Sequence, residues 1–172
     1  MNKKTKKINF IVEAGLIAAV YAALTYAAAA LNLAYGSLQF RFSEALTILS
    51  AYTPAAIPGL TIGCFLGNIT SPYGILDIIC GTLATLIASI LGYICRKITV
   101  KGFPLLSSIF PVITNGLIIG ALSTYFMPEG FKIKMFIISA IQIAFEEALM
   151  SVGLGLPLFG AIKKIGVKKL FK

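Results

Sequence analysis

Several apolar runs exceed the roughly 18 residues that mark a transmembrane helix, and they constrain this chain more than any other feature. Of its 172 residues, 58% are hydrophobic and only 12% are charged. A soluble domain usually has about 25% charged residues. The bilayer is therefore the solvent for most of the chain, which predicts an all-α integral membrane protein. No polar linker is long enough to separate two domains, so we expect residues 1–172 to form one membrane-embedded domain.

The pattern of apolar segments and turn residues predicts six transmembrane helices. Their approximate bounds are residues 8–31, 42–53, 57–69, 75–95, 104–126 and 134–162. Four lysines precede the first run, as in a signal peptide, but the run is too long for one and no clear cleavage site follows. We therefore expect a retained first helix.

Residues 42–69 allow two interpretations, either one long kinked span or a helical hairpin that turns at Thr53–Pro58. Cytoplasmic loops carry an excess of lysine and arginine, so the distribution of these residues distinguishes the two interpretations. The hairpin places twelve of the fifteen cations on one side of the membrane, whereas a single span places six on one side and nine on the other. We therefore predict six helices with both termini cytoplasmic, in the cell membrane.

The second and third predicted helices are short. Twelve residues at about 1.5 Å each reach about 18 Å, against a hydrocarbon core of about 30 Å. Short, proline-interrupted segments at membrane depth often line a cavity, where broken backbone can be satisfied. In the predicted topology, polar groups of these segments and of the later helices collect towards the outer side, which predicts a pocket that opens outward.

Ionisable groups in a bilayer are costly and usually face a polar interior. Spacings of three, four and seven residues place Ser139, Gln142, Glu146 and Gly153 on one face of the last helix, with Glu147 beside it. Each candidate has a structural alternative: Arg41 and Glu44 could pair with each other, Asp77 could cap its helix, and Asn115 could join helices. The candidate substrate-binding residues are Tyr35, Gln39, Arg41, Glu44, Asn68, Asp77, Asn115, Gln142, Glu146 and Glu147.

Two rows of small residues run along the first helix. One contains Ala14, Ala18 and Ala22, and the other contains Gly15, Ala19 and Ala23. Such rows let a second helix approach closely, within the same chain or in a partner subunit.

Several motifs are missing from the sequence. There is no phosphate-binding loop of an ATPase, no nucleophile elbow and no histidine, and the three cysteines lack metal-ligand spacing. We therefore expect no enzyme activity, no metal and no cofactor. A self-sufficient secondary transporter remains an alternative, and a membrane enzyme is disfavoured.

Five segments of the sequence are distinctive in combination: residues 39–47 (QFRFSEALT), 53–59 (TPAAIPG), 62–64 (IGC), 75–86 (ILDIICGTLATL) and 153–158 (GLGLPL). Together they resemble the QueT family, the substrate-binding S components of energy-coupling-factor (ECF) transporters for queuosine precursors. The resemblance implies six helices, an outward-facing pocket, and reliance on a transmembrane T component and two cytoplasmic ATPases. It also implies that small residues of the first helix, matching Ala14, Ala18 and Ala22, contact the T component. An S component for another vitamin is the runner-up.

The ligand implied by this resemblance is a 7-deazaguanine, with the aminomethyl form expected. A carboxylate can accept the two adjacent N–H donors of a guanine-like edge, and the aminomethyl cation needs a second carboxylate. We therefore hypothesise that Glu147 contacts the base edge and that Glu146 or Asp77 contacts the amine, with Tyr35, Phe40 or Tyr73 stacking on the ring. The family pattern has one acid, aligned with Glu147; the additional Glu146 is a departure from it.

Overall fold

The computed structural model describes residues 2–35, 39–128 and 130–166. Within these ranges the fold is all-helical, apart from an isolated antiparallel bridge between Val100 and Phe103. The predicted loop residue Glu129 and the tail lysines Lys168, Lys169 and Lys172 lie outside the described residues. The described elements are α1 (Lys3–Ala30), a 3-10 helix (Phe42–Ala51), α2 (Ala56–Asn68), α3 (Gly74–Ile94) with a three-residue 3-10 turn at its end (Cys95–Lys97), α4 (Leu105–Tyr125), α5 (Ile133–Glu147), a π-helical segment (Ala148–Leu154) and α6 (Gly155–Ile165).

These elements form six helical segments at the predicted positions, because α5, the π-helical segment and α6 are continuous from Ile133 to Ile165. Four segments are long and apolar enough to cross a membrane, and the two shorter ones are the 3-10 helix and α2. The many large hydrophobic side chains on the outer surface, such as Leu16, Ile75 and Ile141, need an apolar surrounding. The chain is a multi-pass membrane protein; the crossing of the two short helices stays a prediction.

Two of the predicted helical segments are not wound as α-helices along their whole length. The second segment is a 3-10 helix, whose i→i+3 pattern is visible where the amide of Glu44 donates to the carbonyl of Arg41 (3.0 Å). At about 2.0 Å per residue it spans about 20 Å, so it remains shorter than the hydrocarbon core. In the last segment, Ala148–Leu154 is wound as a π-helix directly after Glu147. Apolar periodicity does not distinguish these windings from an α-helix.

The 3-10 helix and α2 form the predicted hairpin. At its turn, the Thr53 hydroxyl donates to Glu13 near the lysine-bearing start of α1 (2.9 Å). At its open end, the Arg41 guanidinium donates to Asn68 at the end of α2 (2.9 Å). The 3-10 helix therefore runs through the bundle, where it packs against α1, α2, α3, α4 and α6.

Glycines bring two pairs of helices into close contact. On α2, Gly59 and Gly63 face α1 so closely that a Cβ on Gly63 would lie 2.7 Å from Cβ of Tyr21. On α4, a Cβ on Gly120 would lie 2.8 Å from the Cα of Ala140 on α5. Small residues permit this close approach of helix backbones. The van der Waals contacts that result help to drive the association of helices in lipid.

Candidate functional site

Arg41, the residue before the 3-10 helix, is a buried junction between separate parts of the chain. Its Nε donates to the carbonyl of Ala34 (3.1 Å), its Nη1 donates to Oδ1 of Asn68, and its Nη2 lies 3.6 Å from Oδ2 of Asp77. The guanidinium also lies over the ring of Tyr35, 5.3 Å from its centre. The ion pair of Arg41 is therefore with Asp77 on α3, and not with Glu44 as the sequence spacing allowed.

Asp77 and Asn68 complete this junction. The Ser71 hydroxyl donates to Oδ2 of Asp77 (2.5 Å), and the Asn68 amide donates to the Asp77 carbonyl (3.4 Å). Asp77 is 2% exposed and lies in the first turn of α3. These contacts hold the ends of α2 and α3 and the segment before the 3-10 helix together.

Glu146 connects the residues before the 3-10 helix to α5 through hydrogen bonds. Its Oε2 accepts the backbone N–H of Gln39 (2.9 Å), and its Oε1 accepts the side-chain amide of Gln142 one turn earlier (3.1 Å). The predicted shared face of Gln142 and Glu146 is confirmed by this bond. Both oxygens of the buried Glu146 thus accept hydrogen bonds from the protein itself.

Glu44 and Glu147 form a different arrangement, because their carboxyl groups lie within hydrogen-bonding reach of each other. The Tyr21 hydroxyl on α1 donates to Oε1 of Glu44, and Asn115 on α4 contacts Glu147. Glu44 is 3% exposed and Glu147 is 8% exposed. Within the described part of the chain, no N–H or hydroxyl donor reaches Oε2 of Glu44 or Oε1 of Glu147. Two acceptor groups therefore face each other in a buried position.

Three adjoining cavities share Gln39. The outer cavity has a volume of about 240 Å³ and is lined by Gln39, Tyr73, Ser123, Met127, Ser139, Gln142 and Ile143. The deep cavity has about 20 Å³ and is lined by Gln39, Arg41, Glu44, Asn115, Ile119, Ile143 and Glu147. The third has about 30 Å³ and borders Asp77. The deep cavity holds about one water-sized group, whereas the outer cavity has about twelve times its volume.

The predicted site residues thus divide into two groups. Gln39, Arg41, Glu44, Asp77, Asn115, Gln142 and Glu147 line at least one of these three cavities. Tyr35, Asn68 and Glu146 line none of the three and hold neighbouring segments in place. Tyr35 does so through its hydroxyl, which donates to the carbonyl of Gly67. The sequence did not reveal Tyr21, which contacts Glu44, because no motif or periodicity links α1 to the later helices.

The two small-residue rows of α1 have different surroundings. Ala14, Ala18 and Ala22 are buried inside the chain, on the face of α1 that meets the glycines of α2. The neighbouring row, Gly15, Ala19, Ala23 and Ala27, is exposed, and a Cβ on Gly15 would meet nothing within 4 Å. Packing within the chain thus accounts for the first row.

A multi-pass helical protein with a polar cavity among its helices has the construction of a small-molecule transporter. The family model described as QueT transporter matches residues 11–164, so this chain belongs to that family of membrane transporters. It is also 37% identical over 90 residues to the queuosine precursor transporter QueT of Lactococcus lactis subsp. cremoris (strain MG1363). That alignment spans 52% of this chain and 52% of the relative, about half the length of each. No solved structure gives a significant match.

Proposed function

We propose that this chain is the substrate-capturing S component of an ECF-type importer, and that it binds a 7-deazaguanine precursor of queuosine from outside the cell. The observation that carries the proposal is the polar cavity of a QueT-family chain, which ends at two buried carboxyl groups, Glu44 and Glu147. The described lysines near the start of α1, after α3 and in the last turn of α6 lie at the opposite end from this cavity. The positive-inside rule therefore supports cytoplasmic termini and a cavity that opens outward.

The sizes of the cavities suggest how the ligand is oriented. The flat base fits the outer cavity, where the ring of Tyr73 and the amide groups of Gln39 and Gln142 offer stacking and hydrogen bonds. A small substituent such as an aminomethyl group extends from it towards Glu44 and Glu147. This modifies the sequence-based hypothesis in two respects. Glu146 and Asp77 accept bonds from protein groups, whereas Oε2 of Glu44 and Oε1 of Glu147 have no protein donor among the described residues, so we place the amine at Glu44 and Glu147. Glu147 then contacts the amine instead of the base edge.

Calorimetric titration of the purified chain with 7-aminomethyl-7-deazaguanine tests the proposed capture role, with guanine and riboflavin as controls. We expect tight, selective binding of the deazaguanine. In Glu147→Gln we expect binding about 100-fold weaker, because a hydrogen bond to a charged group contributes about 1.5–3 kcal/mol. Glu13→Gln is the matched control, because Glu13 bonds Thr53 at the other end of the bundle.

Two results would contradict this assignment. If the folded chain binds none of the three compounds, the substrate claim fails, and a screen of other vitamins follows. If Glu147→Gln binds the deazaguanine with unchanged affinity while the other controls behave as expected, the ligand does not contact Glu147.

Import in this proposal depends on a T component and two cytoplasmic ATPases, with α1 facing the T component. The sequence resemblance assigned the contact to Ala14, Ala18 and Ala22. Because that row is buried, we propose that the exposed row beginning at Gly15 makes the contact. A small-residue row permits close approach of a partner helix.

Enlarging the exposed row should separate assembly from folding. We expect Gly15→Leu to reduce co-purification of the T component and ATPases about tenfold, because the added side chain holds the helices apart, while ligand binding is retained. The control is Ile141→Trp, an enlargement at an exposed position of α5. Equal recovery of partners with Gly15→Leu and the unaltered chain would exclude this face as the contact.

A further inference from the structure

We infer that the Glu44–Glu147 pair is an ammonium subsite that holds one proton when empty and releases it when the ligand's amine enters. The inference rests on the proposed function for the identity of the ligand. It stands on the position of the two carboxyl groups, on what surrounds them and on the size of the space between them.

The first argument is the contact itself. Two carboxylates that share a buried site cannot both ionise freely, because like charges repel strongly where water does not screen them. Glu44 and Glu147 are both more than nine-tenths buried and lie within hydrogen-bonding reach of each other. One proton between them turns this repulsion into a hydrogen bond.

The second argument is the set of groups that face the pair from the surrounding elements. They are Tyr21 from α1, Arg41 before the 3-10 helix, Cys64 from α2 and Asn115 from α4. Arg41 is the cation among them, and it is already paired with Asp77 on α3. Asp77 therefore offsets the charge of Arg41, and two further ionised carboxylates would leave the cluster with excess negative charge.

The third argument is size. The deep cavity, lined by both glutamates, has about 20 Å³, which is room for about one water-sized group. An aromatic ring does not fit this space, but an ammonium group at the end of a methylene does. Such a group brings three donors, and Oε2 of Glu44 and Oε1 of Glu147 have no protein donor among the described residues.

The exchange is balanced in charge. A primary amine is protonated at neutral pH, because the reference pKa of such a group is about 10.4. When the cation enters, it replaces the shared proton, which leaves to water through the outer cavity. The affinity for the amine should therefore rise with pH, approaching tenfold per pH unit while the empty pair is protonated and the amine is charged. A neutral ligand of the same shape displaces no proton.

Calorimetry in two buffers of different ionisation enthalpy measures this exchange. We expect about one proton released per molecule of 7-aminomethyl-7-deazaguanine, and none for 7-cyano-7-deazaguanine, which lacks the ammonium group. In Glu44→Gln we expect proton release to disappear and the preference for the amine to fall at least tenfold. Glu146→Gln controls for loss of a neighbouring carboxylate that already accepts two protein hydrogen bonds.

An infrared measurement of the carboxyl C=O stretch tests the shared proton without any ligand. The empty protein at neutral pH should show a protonated, buried carboxyl group that is absent from Glu44→Gln and from Glu147→Gln and retained in Glu13→Gln. Absence of this band, or binding of the amine with no proton release, would overturn the inference while leaving the capture role intact. If neither deazaguanine binds, the proposed ligand is wrong, and the infrared band still decides whether the pair holds a proton.

Discussion

Replacement of Arg41 by glutamine is expected to lower the free energy of unfolding by about 3–5 kcal/mol, since removing one partner of a buried ion pair leaves the other charge uncompensated. Asp77 would remain 2% exposed with Ser71 as its hydrogen-bond donor, and the carbonyl of Ala34 and the amide oxygen of Asn68 would lose their guanidinium donors. Unfolding of the detergent-solubilised protein, followed by thermal or denaturant titration, measures the loss.

A double variant separates the ion pair from the rest of the junction. Because Arg41→Gln/Asp77→Asn removes both charges, it should recover part of the stability lost by Arg41→Gln. Arg96→Gln is the matched control, because Arg96 bonds the Tyr93 carbonyl and lies over the Tyr93 ring at the end of its own helix. We expect a loss below about 1 kcal/mol there. Equal losses for Arg41→Gln and Arg96→Gln would show that the junction contributes little to stability.

Replacement of Gly63 by valine is expected to destabilise the protein by about 3 kcal/mol or more, beyond the usual effect of overpacking. Even a Cβ at this position would lie 2.7 Å from Cβ of Tyr21 and 3.0 Å from the carbonyl oxygen of Ala18. Backbone and Cβ atoms cannot move aside as the end of a flexible side chain can, so α1 and α2 must separate. The displaced Tyr21 would also lose its contact with Glu44.

Gly15→Val provides the comparison for Gly63→Val, because it adds the same atoms to a glycine on the opposing helix where nothing lies within 4 Å. Thermal unfolding and the yield of monodisperse protein should be near those of the unaltered chain for Gly15→Val and much lower for Gly63→Val. Similar behaviour of the two variants would mean that the close approach at Gly63 does not limit stability.

The sequence predicted the helices and the hairpin because both depend on simple averages: apolar length and the distribution of lysine and arginine. It did not predict the winding of Phe42–Ala51 or Ala148–Leu154. The 3-10, α and π helices join residues three, four and five apart by hydrogen bonds, and the three windings have nearly the same pattern of apolar residues. Which winding a segment adopts depends on its packing against neighbouring helices and on the hydrogen bonds available to its backbone N–H and C=O groups.

The residue types of the site were predictable, whereas their partners were not. Buried acids and amides stand out in an apolar chain, so Glu44, Glu146 and Glu147 were candidates from the start. Which carboxylate accepts a backbone N–H and which faces another carboxylate depends on contacts between segments distant in sequence, such as Gln39 with Glu146. Tyr21 was missed for the same reason, because its hydroxyl gains its role only where α1 meets the 3-10 helix.

The glycine contacts also determine which substitutions this fold can accumulate. Lipid-facing positions such as Leu16 and Ile75 touch a solvent that accepts any apolar side chain, so they are free to drift among leucine, isoleucine, valine and phenylalanine. Gly63 and Gly120 have no such freedom, since backbone and Cβ atoms occupy the space a larger side chain would need. We therefore expect the glycines at these helix contacts, and not the largest hydrophobic residues, to vary least among related sequences.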